Sequence, residues 1–407
     1  LKYKPMLKNK FFYGWVIVFA AICLVFLDGL LLYSFGVLLP SIQAKFEMSK
    51  AAVNSIFAIR CIVFAFSMIL FGKLIDKHRP EKVIFLGGLI TAIGLFFTAY
   101  SDTKLTLFLN YGVLTGLGDG AFYIPAVAIV QRWFNKRRDF AVGLVTAGVP
   151  ISGLMINPLS AWILSVSTLE TTLMSLAGIT LICLLPAFLM KQDPGEMGLT
   201  PYGGPFPKSD DDESNNWETK EATKTSAFVI LYVLLFLGML SFLIVVTLQF
   251  DYAISNNLNL LASSIAPASI AAGSFCGRLV TGYLADSINR NKILFSVFLG
   301  QGLSVLILLN GNSLLHYSLF GFFFGFSYGG WIPIFPSLLK DFFGKKHVGQ
   351  IFGVFGTGFS ISAIIGPPLA GYLVDEFNTY NYGFYVCIVA CIIAAMMALL
   401  IKKPIKG

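Results

Sequence analysis

The stretch GKLIDKHRPEKVI, residues 72–84, occurs a second time in altered form as GYLADSINRNKIL, residues 282–294. A glycine, an aspartate and a lysine stand at matching places in both copies, which gives the pairs Gly72/Gly282, Asp76/Asp286 and Lys82/Lys292 at one common separation. The same separation relates three pairs far from this stretch, Gly143/Gly353, Gly148/Gly358 and Pro158/Pro368. A separation shared by distant segments indicates a duplicated unit with one fold in each half.

Each half consists largely of apolar segments. The 407-residue chain is 56% hydrophobic and only 12% charged, which excludes a soluble globular domain and is typical of a polytopic membrane protein. One bilayer crossing needs about 20 apolar residues, at a helix rise of about 1.5 Å each. Twelve segments meet this test: 11–39, 51–74, 83–100, 105–133, 140–166, 171–190, 226–254, 259–285, 292–309, 314–339, 349–374 and 380–401. The first is too long for a signal peptide and lacks a small-residue cleavage site, so we interpret it as a membrane helix.

The only long polar stretch, KSDDDESNNWETKEATK at 208–224, lies between the sixth and seventh segments. We therefore predict an all-α membrane protein with 12 transmembrane helices in two pseudo-symmetric six-helix bundles. The bundles are predicted at 1–190 and 226–407, and 191–225 is predicted to be a cytoplasmic linker. Repeated halves around a central site are the architecture of carriers that work by alternating access.

The lysines and arginines predict the orientation of the chain in the membrane. Most of the 29 basic residues lie on the side of the chain termini, whereas the opposite loops hold only Lys45, Lys50 and Lys104. By the positive-inside rule both termini are cytoplasmic, and we expect a multi-pass protein of the cell inner (plasma) membrane. The net charge of +8 then reflects topology and anionic headgroups rather than nucleic acid.

Several classes of function lack the residues they require. The six cysteines are scattered without a CxxC pair, and two of the three histidines, His78 and His347, lie in predicted loops. We therefore expect neither disulfides nor a metal, and no cofactor. The chain also has no nucleophile with an adjacent base and no phosphate-binding loop, so we do not expect an enzyme. A non-transporting membrane sensor is a weaker alternative, because no soluble domain is present to pass on a signal.

Four charged residues fall inside predicted membrane helices: Arg60, Arg278, Asp28 and Asp119. On insertion scales an ionised group at mid-bilayer costs about 2.5–3.5 kcal/mol, so each of these residues needs a partner, water or a function. Arg278 has no basic counterpart in the first half, since Met68 stands at the matching position. A charge added to one half alone is typical of a substrate site rather than of the duplicated scaffold.

The loop pattern G-x-L-x-D-[KR], complete in the first copy and ending in serine instead of a basic residue in the second, is followed by basic residues in both copies. It resembles the signature of the major facilitator superfamily, and the resemblance covers essentially the whole chain. Within that superfamily, RWFNKRRDFAVGLVTAGVPISG at 132–153 resembles the start of the fifth helix of monocarboxylate transporters and, more loosely, of bacterial oxalate/formate exchangers. The opening YGWVIVFAA at 13–21 is similar to their first helix. The resemblance implies a bacterial homologue of monocarboxylate transporters.

The resemblance also implies a role for one arginine. In the family an arginine of the eighth helix holds the substrate carboxylate, and the matching position is Arg278. Animal members carry an aspartate four residues earlier, where this chain has Ser274, and a first-helix lysine, which is replaced near Tyr33 by an uncharged residue. A coupling acid must then come from elsewhere, and Asp28 and Asp119 are the available acids.

Each of these residues also has a purely structural interpretation. Arg278 could snorkel to the nearby interface, and Arg60 is expected to snorkel or to form a structural pair. Asp119, in TGLGDGAFYIP, could be a buried structural acid that pairs with Arg60 at a helix contact. For Asp28 the same two interpretations, structural and functional, are open. Tyr328 is predicted to line the substrate cavity, although an aromatic residue in a membrane helix more often serves packing.

The loop residues predict a gate. Asp76 and Asp286, with their basic neighbours, could form ion pairs and helix-end contacts that hold the cytoplasmic side shut in one conformation. The predicted gate consists of Gly72, Asp76, Arg79, Arg132 and Asp286, with Lys77, Arg290 and Asp341 nearby.

These predictions combine into a transport mechanism. A short monocarboxylate such as lactate or pyruvate would bind Arg278, and the aspartate that had compensated the arginine would take a proton. Anion and proton together leave the charge within the membrane unchanged, so the loaded carrier can change its access. The alternative is an organic anion exchanger of the oxalate/formate type without proton coupling. The expected partners are the small organic anion, the proton and the bilayer, and we expect a monomer.

Overall fold

The structure is a computed structural model that describes residues 12–204, 217–285, 288–311, 313–344 and 347–404. In these ranges twelve helices are long and apolar enough to cross a membrane. They are α1 Gly14–Phe46, α2 Lys50–Lys77, α3 Pro80–Ala99, α4 Lys104–Trp133, α5 Phe140–Val166, α6 Leu169–Leu189, α7 Ser226–Ser255, α8 Leu260–Leu284, α9 Arg290–Leu309, α10 Leu314–Phe343, α11 Val348–Phe377 and α12 Asn381–Ala398. The predicted fold class is confirmed.

The predicted spans agree with these helices to within a few residues at most ends. The largest difference is at the end of α1, which was predicted at residue 39 and lies at Phe46. The apolar run stops at Pro40, but this proline removes only the hydrogen bond to the carbonyl of Gly36, and the helix continues beyond it. Glu47 ends the helix in the left-handed conformation, with φ 48°.

The packing of the helices has the pseudo-symmetry that the repeat predicted. In the first half α1 packs on α5, α2 on α4 and α3 on α6, and in the second half α7 packs on α11, α8 on α10 and α9 on α12. Between the halves α2 packs on α11 and α5 packs on α8, and the pseudo-symmetry relates these two contacts to each other. Helix α1 also packs on its counterpart α7. The central space between the halves is therefore bordered by α1, α2, α5, α7, α8 and α11.

The predicted linker makes backbone hydrogen bonds to both halves of the chain. Two short helices, Pro194–Met197 and Thr219–Ala222, fall within the predicted linker 191–225. On its first side Tyr202 exchanges backbone hydrogen bonds with Trp133 and Lys136, and on its second side the Trp217 N–H donates to the carbonyl of Phe343 at 3.1 Å. Residues 205–216 lie outside the described residues, and the domain boundaries stay a prediction.

Two helices are interrupted within the membrane region. Helix α4 has a π-helical segment at Phe108–Leu114 and a break after Asp119. Helix α5 has a break at Ala147, between the segments Arg138–Thr146 and Gly148–Val166. Such irregular backbone within the membrane region is tolerated where the protein buries it or where it borders a cavity. Both breaks lie close to charged side chains.

Candidate functional site

Arg278 lies on α8 at the contact with α5. Its guanidinium Nη1 donates to the backbone carbonyl of Thr146 at 2.7 Å, a bond between the two halves of the chain. Its Nε is buried and has no hydrogen-bond partner among the described residues. The hydroxyl of Ser274, one turn earlier on the same helix, is likewise buried without a partner in that part of the chain. The arginine therefore retains unused donor capacity inside the protein.

An acid and three tyrosines lie within electrostatic range of Arg278. The acid is Asp28 on α1, and the tyrosines are Tyr33, Tyr123 and Tyr328. In the described part of the chain, the Asp28 carboxylate has neither a hydrogen bond nor an ion pair. The structure thus places Asp28, Arg278 and Tyr328, three residues singled out from the sequence, in one region between the halves.

The tyrosines belong to an aromatic wall. The ring of Tyr328 stacks on that of Phe242 with a centroid distance of 3.7 Å and an interplanar angle of 5°. Tyr33 meets the same phenylalanine edge-on at 6.4 Å, and its buried hydroxyl has no partner among the described residues. The ring of Trp331 packs edge-on against Tyr328 with a centroid distance of 5.3 Å. Its Nε1 donates a 3.0 Å hydrogen bond to Gln301. Rigid packed rings and an unused hydroxyl therefore lie in the same region as the guanidinium.

The other two intramembrane charges neutralise each other. Arg60 on α2 forms a hydrogen-bonded ion pair with Asp119 on α4, and their side chains are only 3% and 1% exposed. Gly116 brings the helices together, because a β-carbon at this position would lie 2.6 Å from the backbone carbonyl of Arg60. The structure thus shows the structural pair expected for Arg60. Asp119, a predicted coupling acid, has its direct contact with Arg60 and not with Arg278.

The predicted gate residues are spread over several helix ends. Arg132 lies 3.6 Å from Asp193 at the start of the predicted linker, and Arg290 forms an ion pair with Asp341 within the second half, so neither pair joins the two halves. Arg79 is exposed just before α3, and Gly72 and Asp76 lie in α2. Asp286 lies outside the described residues. Their role as a gate stays a prediction.

Sequence reasoning missed a cluster on the side of the membrane opposite the chain termini, which we call the far side. Here Lys50, in the first turn of α2, forms an ion pair with Asp251 of α7 and a hydrogen bond with Tyr380. Asp375 of α11 accepts the backbone N–H groups of Lys50 and Ala51 at 3.1 and 2.9 Å. The position of Lys50 in the sequence was an indication of this cluster. A lysine in the first turn of a helix interacts unfavourably with the helix dipole unless nearby acids compensate its charge.

The chain matches a known protein family over nearly its whole length. Residues 21–314 and 280–406 match the model of the Major Facilitator Superfamily. Among curated proteins, it is 26% identical to the uncharacterized MFS-type transporter YhjX of Escherichia coli, over 82% of this chain and 81% of that protein. It is 26% identical to monocarboxylate transporter 11 of Mus musculus, over 92% and 84%. It is 24% identical to monocarboxylate transporter 2 of Homo sapiens, over 97% and 86%.

Solved structures give the same fold. A bacterial homologue of the human lysosomal transporter Spinster, in an inward-facing and occupied conformation, matches with a TM-score of 0.76 and 15% identity, over 98% of this chain and 97% of that chain. A D-xylose–proton symporter matches with a TM-score of 0.76 and 12% identity, over 95% and 97%. Since the family model, the relatives and the twelve-helix fold agree, the chain belongs to the Major Facilitator Superfamily and is a transporter of that family.

Proposed function

We propose that the protein transports a short monocarboxylate, such as lactate or pyruvate, together with a proton, and that Arg278 binds the carboxylate. One observation carries the proposal: between the halves, a part-buried guanidinium, whose Nε is buried without a partner, has a neutral backbone carbonyl as its hydrogen-bond acceptor among the described residues. A carboxylate brings the opposite charge and can accept two parallel N–H bonds from the guanidinium, which a single carbonyl oxygen cannot. Relatives named monocarboxylate transporters, aligned over most of the chain, support this substrate class.

The charges around the site favour a single carboxylate. Arg60, the other intramembrane arginine, is already neutralised by Asp119, which leaves Arg278 as the cation available to an anion in the described membrane helices. The partnerless hydroxyls of Tyr33 and Ser274 offer donors for further oxygen atoms of a small acid. A dianion would bring a second negative charge next to Asp28, with no second free arginine to compensate it.

Asp28 is the proposed proton carrier. It has no direct partner in the described part of the chain and lies in the electrostatic field of Arg60 and Arg278. When an arriving carboxylate occupies the arginine, Asp28 faces an additional negative charge in a poorly hydrated site, and uptake of a proton removes the repulsion. Binding of anion and proton is then linked reciprocally, so a lower external pH should tighten the apparent affinity for the anion.

Transport by the purified protein in liposomes tests the anion site. We expect labelled lactate to exchange in counterflow and to accumulate when the pH outside is lower than inside. Arg278→Lys should abolish both, because a lysine cannot give the forked geometry of a guanidinium. Arg137→Lys, the same substitution at an exposed arginine outside the site, is the matched control and should transport normally. Full transport by Arg278→Lys would refute the assignment.

The two aspartates provide the test of proton coupling. Asp28→Asn should fold and lose the response to the pH gradient while it retains lactate counterflow. Asp119→Asn should instead reduce the yield of folded protein, because it leaves Arg60 buried without its counter-ion, at a cost of about 3–5 kcal/mol. Counterflow in the wild type without any response to a pH gradient would favour anion exchange. An Asp28→Asn variant with unchanged proton-driven uptake would exclude Asp28 as the carrier.

A further inference from the structure

The backbone carbonyl that bonds Arg278 lacks its usual partner within the helix because of a proline. In a regular helix the carbonyl of Thr146 would accept the N–H of residue 150, but residue 150 is Pro150 and has no N–H. The neighbouring carbonyl of Ala147 is occupied, since it accepts the N–H of Ile151 at 3.1 Å. The guanidinium of Arg278 donates to this Thr146 carbonyl at 2.7 Å.

The α5–α8 contact holds this carbonyl against the arginine. Gly153, one turn after the proline, lets α8 approach, because a β-carbon at this position would lie 2.8 Å from the β-carbon of Ala271. Gly148 does the same toward α1, where a β-carbon would lie 2.7 Å from the carbonyl of Ile22. The break in α5 is thus wedged between α1 and α8, and its free carbonyl faces the second half of the chain.

We propose that Pro150 is a positioning residue: it leaves the Thr146 carbonyl as the resting partner of Arg278, and the substrate carboxylate displaces that carbonyl. The identity of the displacing anion rests on the proposed function. Because the carbonyl belongs to the first half and the arginine to the second, its displacement removes one bond between the halves at the moment of binding. Substrate binding is thereby linked to the α5–α8 contact, which must change when the carrier changes its access.

The strength of the resting bond suits this role. A guanidinium buried without any acceptor is costly, whereas a bond to a carboxylate of the protein would compete strongly with the substrate. A neutral carbonyl lies between these extremes, since it satisfies one donor and yields to an anion. An N–H at position 150 would draw the Thr146 carbonyl into line with the axis of α5 and away from the arginine.

Lactate binding to the full-length protein in detergent, measured by calorimetry at a fixed pH, tests the proposal. In Pro150→Ala the anion no longer has to displace the carbonyl, so lactate should bind up to about tenfold more tightly, where tenfold corresponds to about 1.4 kcal/mol. The maximal transport rate should fall, because binding no longer loosens the α5–α8 contact. Pro158→Ala, a proline of the same helix, is the matched control and should change neither. Unchanged or weaker binding in Pro150→Ala, or equal tightening in Pro158→Ala, would overturn the proposal.

A distance measurement gives a second test that does not need the proline variant to fold. Spin labels can be placed at Phe140 on α5 and Tyr283 on α8, whose side chains are 57% and 80% exposed. Added lactate should shift the distance between the labels in protein with native Arg278, and should not shift it in Arg278→Lys. Binding without a shift contradicts only the role of the Thr146 carbonyl. Absence of lactate binding to the wild type contradicts the proposed function as well.

Discussion

The two ends of the central space differ in how closely the halves approach. On the far side Gly371 of α11 is pressed against α2, so that a β-carbon there would lie 2.5 Å from the Cα of Ala51. On the side of the chain termini, helices α2, α5, α8 and α11 each carry a glycine at which a β-carbon would meet no heavy atom of the described residues within 4 Å. These glycines are Gly72, Gly143, Gly282 and Gly353. The halves are therefore pressed together at this far-side crossing, whereas the four terminus-side glycines leave open space beside their helices.

The far side is closed by bonds that no single half contains. Asp375 of the second half caps the start of α2, and Lys50 of the first half lies 4.2 Å from the centroid of the Tyr380 ring. Burial beside the carboxylate of Asp251 raises the pKa of the Tyr380 hydroxyl, which therefore remains a donor and bonds that carboxylate at 2.6 Å. Specific bonds stabilise the closed far side, whereas the glycines of the terminus side leave room for that side to close in the opposite conformation.

Exchange of one glycine for leucine at each end of α11 should give the largest effect. Gly371→Leu should force the far side apart, because its neighbours at position 51 are backbone atoms that cannot move aside. Gly353→Leu should leave this conformation intact and instead block closure of the terminus side, so that transport stops in both variants for opposite reasons. Spin-label distances across each end separate the two cases. A normal far-side distance in Gly371→Leu would show that the close contact at Gly371 does not hold the far side closed.

Removal of the far-side lysine should give the next largest effect. Lys50→Met removes the ion pair with Asp251 and the bond to Tyr380, which should destabilise the far-side-closed conformation by about 2 kcal/mol. The population of far-side-open protein, measured by spin-label distances, should rise accordingly. Lys45→Met is the control, since its exposed ion pair with Glu170 lies within the first half and should contribute less than about 1 kcal/mol to stability. An equal shift in both variants would show that the Lys50 contacts have no special role.

Loss of the helix cap should give the smallest of these effects. Asp375→Asn retains an oxygen that can accept one N–H of α2 but removes the negative charge that compensates Lys50. We expect a loss of about 1 kcal/mol of the far-side-closed conformation, in line with other helix caps. The far-side distance distribution in this variant should lie between those of the wild type and Lys50→Met. A larger shift than in Lys50→Met would reverse the assigned order of the two contacts.

The sequence predicted the fold well and the pairing of charges less well. The apolar spans and the repeat of Gly72 and Gly282 predict twelve helices in two related halves, because both depend only on local composition and on duplication. The partner of Asp119 could not be chosen between Arg60 and Arg278, since that choice depends on how each helix is rotated. Gly116 permits the close approach that decides it, and the effect of that glycine is visible only in the packed structure.

The inter-half contacts show the same limit. Pro150 removes the N–H that would bond the Thr146 carbonyl in a regular helix, but the arginine that bonds this carbonyl is far away in the chain and is brought there by the α5–α8 packing. Lys50 reads as a charge that sets the topology until the structure places it beside Asp251 and Asp375. Contacts between the halves depend on the conformation of the carrier, which no local pattern in the sequence encodes.

Proton uptake on substrate binding tests the central proposal most directly. Lactate is added to the purified protein in weakly buffered detergent solution, and the protons taken up per lactate bound are measured near neutral pH. The site of Arg278 and Asp28 predicts an uptake of about one proton per lactate in the wild type and none in Asp28→Asn, through the linkage of proton and anion binding. Lactate binding by the wild type without proton uptake, or equal uptake by Asp28→Asn, would contradict the proposed coupling.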